Sequence, residues 1–303
     1  LKLRTIERII NAKVNTWAKT IQNARLRKRI LDGGIIVSGG AIASMLLNEE
    51  VNDYDIYFTS RELAREVAQY YVEQFNKNSS TSFTSGRPVK IYIEEHPERF
   101  KLVVKSAGIA GADPNGNYEY FEQLDSGDPS SEQFINQAVG LKWKKDSGKY
   151  EPIYMTSNAI TLSDSVQLVI RFWGDAEEVH KNFDFAHCTN YWNSKTKKVV
   201  VNQTALEALL TKDLIYIGSL YPICSIIRTR KFIARGFTCT AGSYLKMVWQ
   251  CQELNLWDPE VLEEQLVGVD AAYFQELIDK IKKTPEGTVI DYGYIAKLID
   301  EIF

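Results

Sequence analysis

Apolar positions along this chain switch between helical and strand periods from its first residues. Ile6, Ile9, Ile10, Val14, Trp17 and Ile21 recur at helical spacing, which predicts one long or two short helices over the first thirty residues. Ile35-Ile36-Val37 reads as a short buried strand, Gly39-Gly40 as a turn and Ala41 to Leu47 as a helix. Asp53-Tyr54-Asp55-Ile56-Tyr57-Phe58 has a period of two, so Asp53 and Asp55 share one strand face while Tyr54, Ile56 and Phe58 take the other. Leu63, Val67, Tyr70, Tyr71 and Phe75 restore the helical period from Ser60 to Asn76, with Thr59-Ser60 as a cap.

A polar tract from Asn76 to Pro88 precedes strand-like runs at Val89 to Glu94 and Lys101 to Lys105. Gly108 to Ser131 holds too many Gly, Pro, Asn and Asp breakers for a continuous element, so a loop-rich insertion is expected near 77–160. Ser165 to Phe172 reads as a buried strand and Gly174 to His180 as a short acidic helix. Asn182 to Cys188 follows as a strand, with Phe183 and Phe185 toward the core and Asp184 on the opposite face.

After Val201 the pattern is helical, through Thr204 to Leu210, Pro222 onward, Tyr244 to Leu254, and a start at Trp257-Asp258-Pro259. Tyr273 to Ile281 and Ile290 to Ile302 add two more helices. The expected class is α+β, a mixed sheet over 1–200 followed by an α-helical domain over 201–303, with the boundary near Val199 to Asn202.

Composition narrows this picture by exclusion. With 303 residues, 45% apolar and 25% charged, the chain can bury two cores. No apolar run approaches the ~18 to 20 residues that span a bilayer, and Leu1-Lys2-Leu3-Arg4 lacks a signal-peptide pattern. A cytoplasmic protein with no membrane partner is expected, in a host cytoplasm or a virion. Leu1 in place of Met points to a start further upstream.

Cys188, Cys224, Cys239 and Cys251 have no Cys-x-x-Cys spacing and read as reduced, mostly buried thiols. His96, His180 and His187 show no Ser-His-Asp pattern, which argues against hydrolase chemistry. A net charge of −3 argues against tight non-specific duplex binding and leaves positive charge local. The most ordered basic cluster is Arg228, Lys231 and Arg235 at i, i+3 and i+7, one stripe of a helix with Ile226, Ile227, Phe232 and Ile233 turned inward.

Two carboxylates on one strand face repel, which raises a pKa or recruits a hard cation such as Mg²⁺. Free amides at the start of the Ala41 helix can receive an anion. Strand, Gly-Gly turn, helix and Asp-x-Asp strand together outline a nucleotide-sized pocket.

Ser38-Gly39-Gly40 followed by Asp53-Tyr54-Asp55 resembles the signature of the DNA polymerase β-like nucleotidyltransferase superfamily, which includes CCA-adding enzymes and poly(A) polymerases. Tyr221 to Phe237 is similar to the Pro-led, Arg-rich helix that follows the palm domain in CCA-adding and bacterial poly(A) polymerases. The resemblance implies a palm fold and transfer of a nucleoside monophosphate from an NTP to an acceptor hydroxyl, with an RNA 3′ end among the acceptors. It implies Mg²⁺ or Mn²⁺ held by Asp53, Asp55 and a third carboxylate from a later strand. Asp184 is the first candidate for that third acid and Glu94 the rival.

Ser38, Gly39 and Gly40 are then expected at the triphosphate, with Arg171, Arg228 and Lys231 neutralising its charge. Gln167 departs from the CCA-adding pattern, whose comparable strand carries a carboxylate, and Asn182-Phe183 stand where that pattern has two arginines before its Asp. The Gln167 departure and the large insertion motivate an alternative in which the fold is retained without turnover, as a binding or structural part of a viral or phage assembly. A toxin that modifies tRNA or a protein shares the chemistry and differs in target. A protein partner is expected through the insertion or the helical domain.

Overall fold

The apolar stripe at the start of the chain forms two helices, α1 (Leu3–Thr20) and α2 (Ala24–Arg29), in a computed structural model that describes residues 1–78, 89–106, 118–119, 148–155, 158–258 and a few single positions beyond. Asn23 caps α2 by accepting from the Leu26 amide at 3.0 Å. A π turn at Ile30–Gly34 then feeds β1 (Ile35–Ser38). Next come α3 (Gly40–Leu47), β2 (Tyr54–Phe58) and α4 (Arg61–Asn78), whose expected cap is present where Ser60 Oγ accepts from the Leu63 amide at 3.2 Å.

β3 (Val89–Glu95), β4 (Phe100–Ser106) and β5 (Tyr118–Glu119) form a separate three-stranded antiparallel sheet. The chain then returns to the main sheet through β6 (Pro152–Met155), β7 (Ala159–Leu162) and β8 (Val166–Trp173), followed by α5 (Ala176–His180). β9 (Tyr191–Asn193) and β10 (Lys198–Val200) complete that sheet, in the order β10-β9-β1-β2-β8-β7-β6. Its pairings are antiparallel except β2 with β8, which run parallel. The class is the mixed α/β one expected, with α6 (Gln203–Thr211), α7 (Pro222–Ala234) and α8 (Ala241–Gln252) after the sheet.

Register divides the main sheet into two faces. Val37 pairs with Ile56 and Trp192, Ile56 with Leu168, and Leu168 with Ile160, and all five belong to the larger core. Ile6, Ile10, Val14 and Trp17 of α1 and Leu63, Val67 and Tyr71 of α4 join that core. One residue along each strand, Tyr191, Ser38, Asp55, Gln167 and Thr161 form the neighbouring row, on the opposite face. A second core joins Ala43 of α3 and Phe185 to Leu209, Leu214, Tyr216, Phe232, Phe237 and Met247, so the helices are docked on the sheet's far face.

Three expectations are corrected. The insertion does not extend to residue 160, because Pro152–Met155 and Ala159–Leu162 are strands of the main sheet. Asn182 to Cys188 is not a strand: Asp184 sits in a bend, Phe185 makes only an isolated bridge to Tyr216, and Ala186–Cys188 is a 3₁₀ turn. Ile233 is 46% exposed, since the buried face of α7 runs through Ser225, Thr229 and Phe232 instead. The loop at 79–88, most of Gly108 to Ser131, the helix expected at 273–281 and most of that expected at 290–302 lie outside the described residues.

Trp17 Nε1 donates to Tyr71 Oη at 2.8 Å inside the larger core, tying α1 to α4. Tyr71→Phe removes that acceptor and leaves a buried indole N–H unmatched, at a cost of about 1–3 kcal/mol. Urea denaturation is expected to show a lower midpoint with an unchanged m-value.

Candidate nucleotide site

β1 delivers its last residue, Ser38, to the sheet's far face, and the backbone then turns sharply at Gly39. Gly39 has φ +92°, in the region that favours glycine, and a Cβ there would lie 2.8 Å from Asp55 Oδ2. The loop is therefore packed directly on the carboxylate of the neighbouring strand. Its amide donates to the Cys188 carbonyl at 3.1 Å. Gly40 begins α3 and lines the pocket, where the first-turn amides of a helix receive anions.

Ser38 is placed differently from the expected triphosphate contact. It is 0% exposed. Its Oγ donates to the Asn190 carbonyl at 3.0 Å, with the Cys188 carbonyl at 3.3 Å and His180 Nε2 at 2.8 Å. Ser38 thus pins the 186–190 segment beneath the loop and positions Gly39-Gly40. The Ser38–His180 contact brings a serine and a histidine together without an acid partner for the ring among the described residues, and burial keeps this hydroxyl from a substrate.

Asp53, Asp55 and Tyr57 line one pocket, as a period of two requires. Gln167 of β8 is the register partner of Asp55 and lines it as well. Asp184 reaches the same pocket from its bend, and Phe183 lines it beside Asp184 instead of facing the core. Phe183 packs on Tyr57 at 5.5 Å between ring centroids.

The opposite wall is α7, from which Arg228, Lys231 and Arg235 all face the pocket, as the stripe predicts. Arg228 Nη1 pairs with Asp184 Oδ2 at 3.0 Å. Arg235 is held by Glu49 and by Ser44 Oγ at 3.2 Å, and Lys212 joins Glu49 at 3.3 Å. Burial works to raise the Glu49 carboxyl, but Arg235 and Lys212 outweigh it and hold Glu49 below the usual range.

Arg171 does not line the pocket; its Nε donates to the Tyr221 hydroxyl at 3.4 Å, and Tyr221 is a lining residue. Glu94, the rival third acid, is on β3 of the small sheet with His96 Nε2 3.4 Å away and is not among the pocket's lining residues. Phe172, like Phe183 and Tyr221, gives the pocket aromatic surface that the motif did not indicate. Tyr57 was legible from the alternation of its strand. Phe172 was not, because the β2–β8 register shifts after Tyr57 and Val169 so that Phe58 meets Trp173.

No three His, Cys, Asp or Glu side chains among the described residues gather closely enough to hold a metal ion by themselves. Asp53 and Asp55 are nonetheless the hard oxygen donors that Mg²⁺ uses when one or two carboxylates share it with substrate phosphates. The donor set fits an ion that arrives with phosphate. Asp184, expected as the third ligand, is engaged by Arg228 instead.

The groups beneath the pocket are chemically quiet. Burial, with Asp184 and Asp55 nearby, pushes the Cys188 thiol up to about 12. Burial holds His180 down to about 4. His187 is 1% exposed amid Phe185, Phe232 and Phe237, neither ring nitrogen has a hydrogen bond, and burial assisted by Arg228 and Arg235 holds it down to about 3.

The fold and site define a mixed α/β protein with a Gly-Gly loop, a carboxylate wall and a facing basic helix. A family model described as Gabija anti-defense 2 family protein matches residues 8–212, more than half of the chain, and the chain belongs to that family. A curated relative, Gabija anti-defense 2 of Bacillus phage SPbetaL7, is 21% identical over 248 residues, covering 82% of this chain. The chain spans only 44% of that relative's length.

Solved structures similar to it include CCA-adding enzymes. A CCA-adding enzyme in an apo form covers 91% of this chain and 50% of its own, at 10% identity and TM-score 0.40. The Thermotoga maritima CCA-adding enzyme complexed with tRNA covers 90% and 56%, at 12% identity and TM-score 0.39. The Bacillus stearothermophilus enzyme in complex with CTP covers 80% and 47%, at 14% identity and TM-score 0.34. Among the described residues, no helix is long and apolar enough to cross a membrane.

Two predictions follow the geometry. Gly39→Ala places a side chain at positive φ against Asp55, and is expected to cost about 1–3 kcal/mol in denaturant unfolding. His187 takes a proton in the unfolded chain near pH 6.5 and in the folded one only near 3. Its contribution is therefore complete above pH 6.5 and lost as pH falls through that window, roughly 2 kcal/mol by pH 5. His187→Leu is expected to flatten the fall in unfolding free energy between pH 7 and pH 5.

Proposed function

We propose that this chain is a divalent-metal-dependent nucleotidyltransferase that moves a nucleoside monophosphate from an NTP to an acceptor hydroxyl, releasing pyrophosphate, and serves a phage against a Gabija defence. The observation that carries this reading is the convergence of Gly39-Gly40, Asp53 and Asp55 on one wall with Arg228 and Lys231 on the facing wall. A triphosphate between those walls meets helix amides and cations along its length.

Asp53 and Asp55 would hold Mg²⁺ or Mn²⁺, which when bound polarises phosphoryl oxygens and makes an acceptor hydroxyl easier to deprotonate. Arg228 and Lys231 neutralise charge on the departing pyrophosphate. Ser38 keeps the Gly-Gly loop in shape, and Arg171 steadies Tyr221 at the pocket edge. Phe172, Phe183 and Tyr221 offer apolar surface to the base. The family's anti-defence name favours a component of the defence system as acceptor, and the Arg-rich helix keeps an RNA 3′ end among the candidates.

A second reading has its own support. Gln167 stands beside Asp55, and Asp184 is tied to Arg228, so the pocket has the features of a site that binds nucleotide without turnover. The two readings separate on the Asp53→Ala/Asp55→Ala variant.

The purified protein would be incubated with each labelled NTP, Mg²⁺ or Mn²⁺, total RNA and an extract of Gabija-bearing cells. The transferase is expected to label RNA or protein, and the folded double variant to lose that label by about a hundredfold or more. No label from a wild-type chain that still binds NTP sinks the transferase and leaves the binding protein.

A further inference from the structure

We propose that Gln167 sets the charge of the pocket floor, so that the pocket takes one divalent cation and takes it with a nucleotide's phosphates instead of alone. This rests on the nucleotide-binding reading above. Gln167 is 6% exposed, yet it lines the pocket with Asp53 and Asp55. β8 places it directly beside Asp55, on the same face of the sheet.

The Gln167 side chain opens on the pocket beside the Asp53 and Asp55 carboxylates. Its strand neighbours Val166 and Leu168 are wholly buried in the larger core, so an apolar residue on this strand would meet no obstacle from composition. A carboxamide offers a neutral oxygen to a cation and an N–H donor to a phosphate.

Neutrality is the decisive property. A carboxylate beside Asp55 would add a third negative charge to Asp53 and Asp55, and the cluster would then capture a cation or a proton without nucleotide. Asp184 does not supply that charge, because its carboxylate is matched by Arg228 across the cleft. The floor therefore contributes two carboxylates and one neutral oxygen. Mg²⁺ demands near-octahedral oxygen coordination and completes it from phosphates and water. Cation and nucleotide then tighten each other's binding by the same factor.

The test uses Mn²⁺ as the probe, counted from the loss of the free-ion paramagnetic signal, with and without a non-hydrolysable NTP analogue. Wild type is expected to bind Mn²⁺ weakly alone and one Mn²⁺ per chain with the analogue. Gln167→Glu is expected to tighten nucleotide-free Mn²⁺ binding by about tenfold or more. Gln167→Met keeps the length of the side chain without its ligand atoms, covers the case in which the glutamate variant does not fold, and is expected to weaken nucleotide-dependent Mn²⁺ binding several-fold. Unchanged affinity in a folded variant, or two Mn²⁺ per wild-type chain, overturns the assignment of Gln167 while leaving nucleotide binding intact. A wild-type chain that binds no analogue overturns the nucleotide reading itself, and the role of Gln167 with it.

Discussion

The structure depends on the register that aligns β9, β1, β2, β8 and β7. Val37, Ile56, Leu168, Ile160 and Trp192 form one row in the core, and the adjacent row holds Tyr191, Ser38, Asp55, Gln167 and Thr161. A slip of one residue would expose the first row and bury the second. Each large apolar side chain so exposed forfeits about 1.5–3 kcal/mol, and Asp55 would enter the core without a partner of known geometry. The hydrophobic packing of α1 and α4 against one face therefore fixes the chemistry of the other.

The second wall of the pocket is held by charge as well as by packing. Phe232 anchors α7 in the smaller core, and Glu49 gathers Arg235 and Lys212 near the end of that helix. Arg228 completes the attachment through Asp184. These pairs lie at a half-buried cleft, where charges are screened less than on an open surface. The cleft thus keeps acids on the sheet side and cations on the helix side without external help.

Much of this is legible in the amino-acid sequence. The period-two run at Asp53 to Phe58 gave the face of each carboxylate, and the spacing of Arg228, Lys231 and Arg235 gave the pocket side of α7. The sequence could not indicate contacts that close over long separations: Ser38 meets His180 across 142 residues. Phe183-Asp184-Phe185 reads as alternation, but the Phe185 bridge to Tyr216 and the 3₁₀ turn after it bend the chain, and Phe183 turns to the pocket. β9 and β10 have three residues each, too few for a period to show. Ile233 looked inward because helical spacing alone does not say which of two apolar stripes will be covered.

Arg228 joins the two halves of the site in one energetic argument. Its partner Asp184 is 6% exposed, so stripping the arginine from it would leave a buried carboxylate uncompensated. A phosphate reaching Arg228 must therefore share it with Asp184 or replace one anion by another, and little net electrostatic gain comes from exchange alone. Five guanidinium donors allow sharing, which keeps Asp184 compensated and oriented. On the proposed reading, attraction for a triphosphate would then rest on Lys231, on the amides at the start of α3 and on a cation brought to Asp53 and Asp55, more than on Arg228. Arg228 would thus orient a phosphate more than attract it, because its charge is already matched by Asp184.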